Sequence, residues 1–309
     1  MYKPPRILFN RHAETIFPSL MRKVNLPVTR TERITTPDDD FLDIDWYAGD
    51  ESKCVIISHG LEGNSGRAYV KGMARAFRNN GMTVAAWNFR GCSGEVNRQL
   101  RFYHSGATDD LKTVVDHVAR THKEVFLVGF SLGGNLTLKY LGEEHVHPAV
   151  RRAVAFSVPI DLHTSCIEIS KPGNWLYSRR FLKALKGKIK SKAEKRNDLS
   201  LEGIHRVKNL IDFDDKFTGP IHGFEGAIDY YRKCSSINFI DKIRIPTLVV
   251  NAKNDPFLGE NCFPKERFGN HAWVTFEFPE HGGHVGFAMF GKKGLYWSEM
   301  RALSFILDK

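Results

Sequence analysis

The chain has 309 residues, of which 42% are hydrophobic and 26% charged, and it carries a formal charge of +10 at pH 7. Such a composition excludes a disordered or fibrous chain and supplies enough apolar material for a large core, while no apolar window reaches membrane-spanning length. The positive charge suits an anionic partner, whether a membrane surface, a nucleic acid or an acidic substrate, without choosing among them.

The five cysteines, Cys54, Cys92, Cys166, Cys234 and Cys262, are odd in number and form no Cys-x-x-Cys pair. Their spacing predicts neither a disulfide framework nor a zinc site and fits a reducing cytosol. The first eleven residues contain Pro4 and Pro5 and lack the apolar core of a signal peptide, so a soluble, cytoplasmic protein is expected.

Taken in chain order, residues 33–36 and 42–47 flank the turn Pro37-Asp38-Asp39-Asp40 and predict an antiparallel hairpin at a sheet edge. Cys54 to Ser58 is a buried strand, Ala68 to Asn79 a helix stopped at Asn80-Gly81, and Thr83 to Asn88 the next strand. Gly91 to Arg101 is a glycine-rich, charged loop. Leu111, Val114, Val115 and Val118 give Ala107 to Thr121 a helical period, and Val125 to Val128 is a short strand before a helix from Leu132 to Leu141. Further strands are expected at Arg152 to Ser157, Thr247 to Val250 and Val274 to Phe278, with a last helix near Leu295 to Leu307.

Strands alternating with helices predict a doubly wound, mostly parallel sheet, an α/β architecture in one domain over 1–309. The alternation stops between Asp161 and about Ser236, where an inserted, largely helical cap is expected. Arg179 to Arg196 within it is basic and amphipathic; a solvated helical face is the plain explanation, and peripheral contact with an anionic membrane the functional one. No contact with nucleic acid is expected.

The chemistry is carried by Gly129-Phe130-Ser131-Leu132-Gly133, which sits directly after a strand and directly before a helix. A serine hydroxyl is a poor nucleophile, so it must project from a sharp turn toward a base, and glycines on both sides leave the room that turn needs. The helix starting at Leu132 places its positive dipole end beneath a tetrahedral oxyanion. A second oxyanion donor is expected from His59-Gly60-Leu61-Glu62-Gly63 at the end of an earlier strand, which makes the amides of Leu61 and Leu132 the paired donors.

Serine, acid and histidine follow in that chain order in such a sheet. Asp255, in Asn254-Asp255-Pro256 after the Thr247 strand, is the expected acid, although the same tripeptide is also good turn chemistry. Pro279-Glu280-His281-Gly282-Gly283-His284 follows the last strand and offers two histidines. His284 is the preferred base because the glycines before it let a loop bring the imidazole to Ser131, while His281 shapes that loop. Neither an organic cofactor nor a metal is expected.

With these residues in place the chain resembles the YheT-type branch of the α/β-hydrolases, which includes ABHD1/ABHD3-like lipid hydrolases and yeast medium-chain ethyl ester synthases. Arg11-His12-Ala13-Glu14-Thr15 resembles that family's Asn-Pro-His-x-Gln-Thr segment, with departures that include Arg11 and Glu14. His59-Gly60-Leu61-Glu62-Gly63, Asn88-Phe89-Arg90-Gly91-Cys92, Tyr103-His104-Ser105-Gly106 and Gly129 to Asn135 match more closely, as do Phe213-Asp214-Asp215 and Tyr230-Tyr231 in the cap. The resemblance implies hydrolysis of small-molecule acyl esters, medium-chain or lipid-like, by Ser131, Asp255 and His284. His104 and Asp109 fit a His-x4-Asp pattern that related proteins share with acyltransferases, which implies ester synthesis from a thioester and an alcohol as an alternative. A histidine capping a helix that carries Asp109 and Asp110 in its first turn is the simpler expectation. A third alternative, from another class, is a non-catalytic binding protein that uses the basic cap.

Overall fold

The computed structural model describes residues 2–143, 145–291 and 294–307. Among the described residues eight strands form: β1 (Arg30–Thr35), β2 (Phe41–Tyr47), β3 (Asp50–Ser58), β4 (Met82–Asn88), β5 (Glu124–Phe130), β6 (Val150–Phe156), β7 (Thr247–Val250) and β8 (Val274–Glu277). They lie in one sheet in the order β1-β2-β4-β3-β5-β6-β7-β8. The β1–β2 hairpin pairs antiparallel at one edge, β2 runs antiparallel to β4, and all other neighbours are parallel. The strands β3 and β5 begin before their apolar centres because ladder pairing, Lys53 opposite Glu124 for example, extends past the residues that need burial.

Parallel strands covered on both faces must be apolar on both faces, and period-two alternation sorts them. Ile56, Trp87, Leu127, Ala155 and Val249 point to one side, where they pack with Leu111, Val114, Val115 and Val118 of α3 (Thr108–Ala119) and Leu136 and Leu138 of α4 (Leu132–Leu141). Val55, Ile57, Val84, Val128, Phe156 and Val250 point to the other, against Val70, Met73 and Phe77 of α2 (Ala68–Arg78) and Ala302 and Ile306 of the last helix, Trp297–Ile306.

A helix not expected from sequence is α1, Arg11–Met21, whose start is capped by the Asn10 side chain accepting from the amides of His12 and Ala13. Between β6 and β7 the described residues include no strand. The chain instead runs through α5 (Leu162–Ser170), α6 (Trp175–Ala193), several short turns and the helix Ala227–Cys234. Ile240 and Ile243 then rejoin the core beneath the sheet with no exposed surface.

A buried polar knot fixes the carboxyl edge near β4. Arg90, 2% exposed, meets Asp38 at 2.8 Å and Asp40 at 3.0 Å in the hairpin turn and Asp110 at 2.7 Å in α3. Asp40 also accepts from the amides of Arg98 and Gln99 at 2.8 and 3.0 Å, which shapes the loop after β4. That loop in turn receives Lys192 of α6, fully buried, whose Nζ donates to Asn97 Oδ1 at 2.8 Å and to the Arg101 carbonyl at 3.1 Å. The far end of α6 is thereby anchored to the sheet-bearing part of the molecule.

Candidate active site

Ser131 follows β5 directly and adopts φ 52° and ψ −119°, a conformation that disfavours any residue with a Cβ and projects the side chain out of the turn. The close approach that permits this depends on glycine. A Cβ at Gly129 would lie 2.5 Å from the Gly133 carbonyl oxygen, and one at Gly133 would lie 2.4 Å from the His59 carbonyl oxygen. The Ser131 Oγ stands 2.9 Å from His284 Nε2. On its other side His284 Nδ1 meets Asp255 Oδ2 at 2.9 Å and Oδ1 at 3.1 Å. Asp255, with no exposed side-chain surface, also accepts from the Phe257 amide at 2.9 Å. Serine, histidine and aspartate thus form one hydrogen-bonded row at the carboxyl ends of β5, β7 and β8, where open α/β sheets build their sites.

The amides around the serine can be accounted for one by one. In the loop after β3, the Gly60 N–H donates to Tyr69 Oη at 2.9 Å, the Glu62 N–H to Tyr103 Oη at 3.0 Å and the Gly63 N–H to the Gly60 carbonyl at 2.9 Å. Among the described residues the Leu61 N–H alone of these has no acceptor. Leu132, the first residue of α4, is one whose amide a helix leaves unbonded. Gly60 brings the two segments together, since a Cβ there would lie 3.2 Å from the Ser131 Cβ. His59 locks the loop: its Nδ1–H donates to the Gly60 carbonyl at 2.8 Å and its Nε2 accepts from the Phe89 amide at 3.2 Å. Burial pushes His59 down to about 3, so it stays neutral and keeps both roles.

Backbone strain gathers at the same place. Among the described residues six non-glycines have positive φ, and five of them, Glu62, Ser131, Ser157, Val285 and Phe287, surround the serine and histidine loops. Val285 is β-branched, for which such a backbone is unusual, and it is held there by its amide donating to Ser157 Oγ at 2.9 Å. A cleft of about 570 Å³ opens over Ser131 and His284, with Ile16, Leu20, Leu61, Leu176, Phe181 and Phe257 along its walls. That volume suits a small-molecule substrate. Arg67 and Arg180, both exposed, line it as well.

Two expectations from sequence need correction. His104 does not cap α3, whose N-cap is Ala107; it accepts from the Gly106 amide at 3.1 Å in the turn before. It is half-buried against His222, Phe224 and Tyr230, and loss of solvation there holds it well below the usual imidazole range. Asp109 pairs with Arg101 at 2.6 Å and not with His104, so the His-x4-Asp pattern forms no acid–base unit. Nor is Arg179 to Arg196 one solvated basic face. Lys188 pairs with Glu62 at 2.9 Å, Lys186 donates to the Val207 carbonyl at 2.6 Å and Lys192 is buried, which leaves Arg179, Arg180, Lys183, Lys190 and Lys195 exposed.

Several site residues carried no sign in the sequence of the partners they hold. Tyr69, Ser157 and Asn254 act by hydrogen bonds to distant backbone, and Glu14 and Thr15 reach the histidine loop from α1 across more than 260 residues of chain. Only the fold brings them in.

The mostly parallel eight-stranded sheet with helices on both faces is that of an α/β-hydrolase. The family model for serine aminopeptidase S33, Hydrolase_4, matches residues 49–261. Escherichia coli YheT, a candidate esterase by name, is 34% identical over 92% of this chain and 86% of its own. Phospholipase ABHD3 of Bos taurus is 28% identical over 93% of this chain and 73% of its own. The Pyrococcus furiosus esterase Pf2001 shares the fold, with a TM-score of 0.60 at 17% identity over 93% of this chain and 98% of that one. The chain belongs to the YheT-type family of α/β-hydrolases and is an esterase- and lipase-like enzyme. No helix of the described residues is long and apolar enough to cross a membrane.

Proposed function

We propose that this enzyme hydrolyses medium-chain or lipid-like acyl esters through an acyl-enzyme on Ser131. The observation that carries the reading is the 2.9 Å contact between Ser131 Oγ and His284 Nε2 at the floor of an apolar-walled cleft. As Oγ attacks the ester carbonyl, His284 takes its proton, and Asp255 holds the imidazole with its Nδ1–H directed at the carboxylate. The amides of Leu61 and Leu132 receive the negative charge that develops on the carbonyl oxygen; one such donor typically contributes about 10²- to 10³-fold in turnover. His284 then gives the proton to the departing alcohol, and a water activated by the same nitrogen releases the acid. The helical excursion 161–236 acts as the cap, with Leu176 and Phe181 contributing to the acyl wall. The phospholipase relative supports an amphiphilic ester.

A chain-length series of p-nitrophenyl esters tests the substrate class. The expected result is a maximum in kcat/KM at medium length, and a flat profile from acetate upward would remove the acyl-wall assignment. Acyl transfer is separated from hydrolysis by adding alcohol: free acid remains the main product if water is the normal acceptor, whereas ester that rises to dominate at low alcohol concentration identifies a transferase.

Peripheral contact with an anionic membrane is proposed through the part of α6 that stays free. Trp175 and Leu176, 54% and 57% exposed, adjoin Arg179, Arg180 and Lys183 at that end of the helix. Apolar anchors beside cations suit a headgroup layer. The protein is expected to co-sediment with phosphatidylglycerol vesicles and not with phosphatidylcholine vesicles, and the R179E/R180E/K183E variant is expected to stay in solution; equal sedimentation of both proteins would refute the contact.

A further inference from the structure

Glu14 is a buried carboxylate, 1% exposed, with no arginine or lysine paired to it among the described residues. An ionised group in that position is tolerated only where donors satisfy it. Its donors all come from the two loops that hold the acid and the base. Oε2 accepts from the Gly282 amide at 2.5 Å, and Oε1 accepts from Asn254 Nδ2 at 2.9 Å and from His281 Nδ1 at 3.2 Å. Asn254 precedes Asp255, and its Oδ1 in turn accepts from the Gly283 amide at 3.0 Å. The next residue of α1 continues the contact: Thr15 Oγ1 accepts from the His284 amide at 2.9 Å while donating to the Arg11 carbonyl at 2.7 Å. The packing leaves no slack, for a Cβ at Gly286 would lie 2.2 Å from the Glu14 carbonyl oxygen and one at Gly283 2.8 Å from Thr15 Oγ1.

We infer that Glu14 is a positioning residue: its carboxylate clamps the Asn254–Asp255 turn and the His281–His284 loop to α1, and so sets the reach of His284 toward Ser131. Glu14 is outside the cleft lining, so it acts only through the loops. The clamp explains why a loop with two adjacent glycines holds the imidazole in hydrogen-bond range. It also gives α1 a task beyond packing. The inference rests on the proposed role of His284 as base, and the test separates the two.

The test compares Glu14→Ala and Glu14→Gln with the wild type, normalising kcat to active sites counted by fluorophosphonate titration. Displacement of a catalytic group by about 1 Å can reduce turnover about 10²-fold, so E14A is expected to lower kcat per site about 10- to 100-fold with KM little changed. Glutamine has one acceptor oxygen for a set that uses two, and E14Q is expected to fall between; it is also the variant to read if E14A does not fold. A merely structural role would reduce the number of titrated sites and the melting temperature while leaving kcat per site at the wild-type value, and that result overturns the inference. The low-field proton resonance of the His284–Asp255 hydrogen bond gives a readout independent of turnover, expected in the wild type and broadened or lost in the variants. If the wild type hydrolyses no ester, the functional proposal fails while this resonance still decides the clamp; a resonance unchanged in E14A and E14Q refutes it.

Discussion

Replacing His284 by alanine is expected to lower kcat on a p-nitrophenyl ester by about 10⁴- to 10⁶-fold, because serine, base and acid act as one unit and removal of one member forfeits most of what all three supply. His281→Ala is expected to lose less than about tenfold, the scale of one hydrogen bond. The difference follows from geometry. His284 Nε2 faces the Ser131 hydroxyl at 2.9 Å, whereas His281 is half exposed and meets Glu14, which keeps two other donors when that ring is removed. Equal losses from the two substitutions, measured as initial rates on proteins of matched melting temperature, would show that the base has been misassigned.

Arg90→Ala is the substitution expected to weaken the fold most. It would strip the counter-charge from Asp40 and Asp110, both buried, and breaking a buried ion pair in this way typically destabilises by about 3–5 kcal/mol. The deficit should depend on pH with a definite sign. Burial pushes Asp38 up, but hydrogen bonds from Arg90 and Thr36 outweigh it and hold the group at about 2. In the wild type that lowered value contributes stability above the ordinary aspartate range, which is lost as pH falls toward 2. Without the guanidinium the carboxylates take up protons more readily on folding, so the R90A deficit is largest at neutral pH and narrows on acidification. Urea unfolding of both proteins at pH 7 and pH 5 measures it, and a deficit that widened at pH 5 would contradict the charge argument.

What could be read in the sequence was local. Gly129 to Gly133 between a strand and a helix specifies its own turn, and the chain order of Ser131, Asp255 and His284 specifies which strand ends must meet. Periodicity located the strands because burial on both faces demands near-continuous apolar runs. It was weaker where a residue's neighbours are remote. Lys192 lies on a basic helix and has the spacing of a solvated face, yet it is buried because the loop Asn97 to Arg101 offers it carbonyl oxygens. His104 looked like a helix cap beside Asp109 and Asp110, but a cap-side aromatic cluster encloses it. Glu14 gave no sign at all of its partners, since each of its side-chain hydrogen bonds crosses at least 240 positions.

In the proposed mechanism Ser131 is made nucleophilic by an imidazole held within reach of it. Reaction of the purified protein with a fluorophosphonate, followed by mass spectrometry of the modified peptide, shows whether that activation occurs. Rapid, stoichiometric modification confined to the peptide containing Ser131, absent in Ser131→Ala and greatly slowed in His284→Ala, is the expected result. A wild-type protein that resists the reagent, or a Ser131→Ala protein labelled as fast as the wild type, would contradict it.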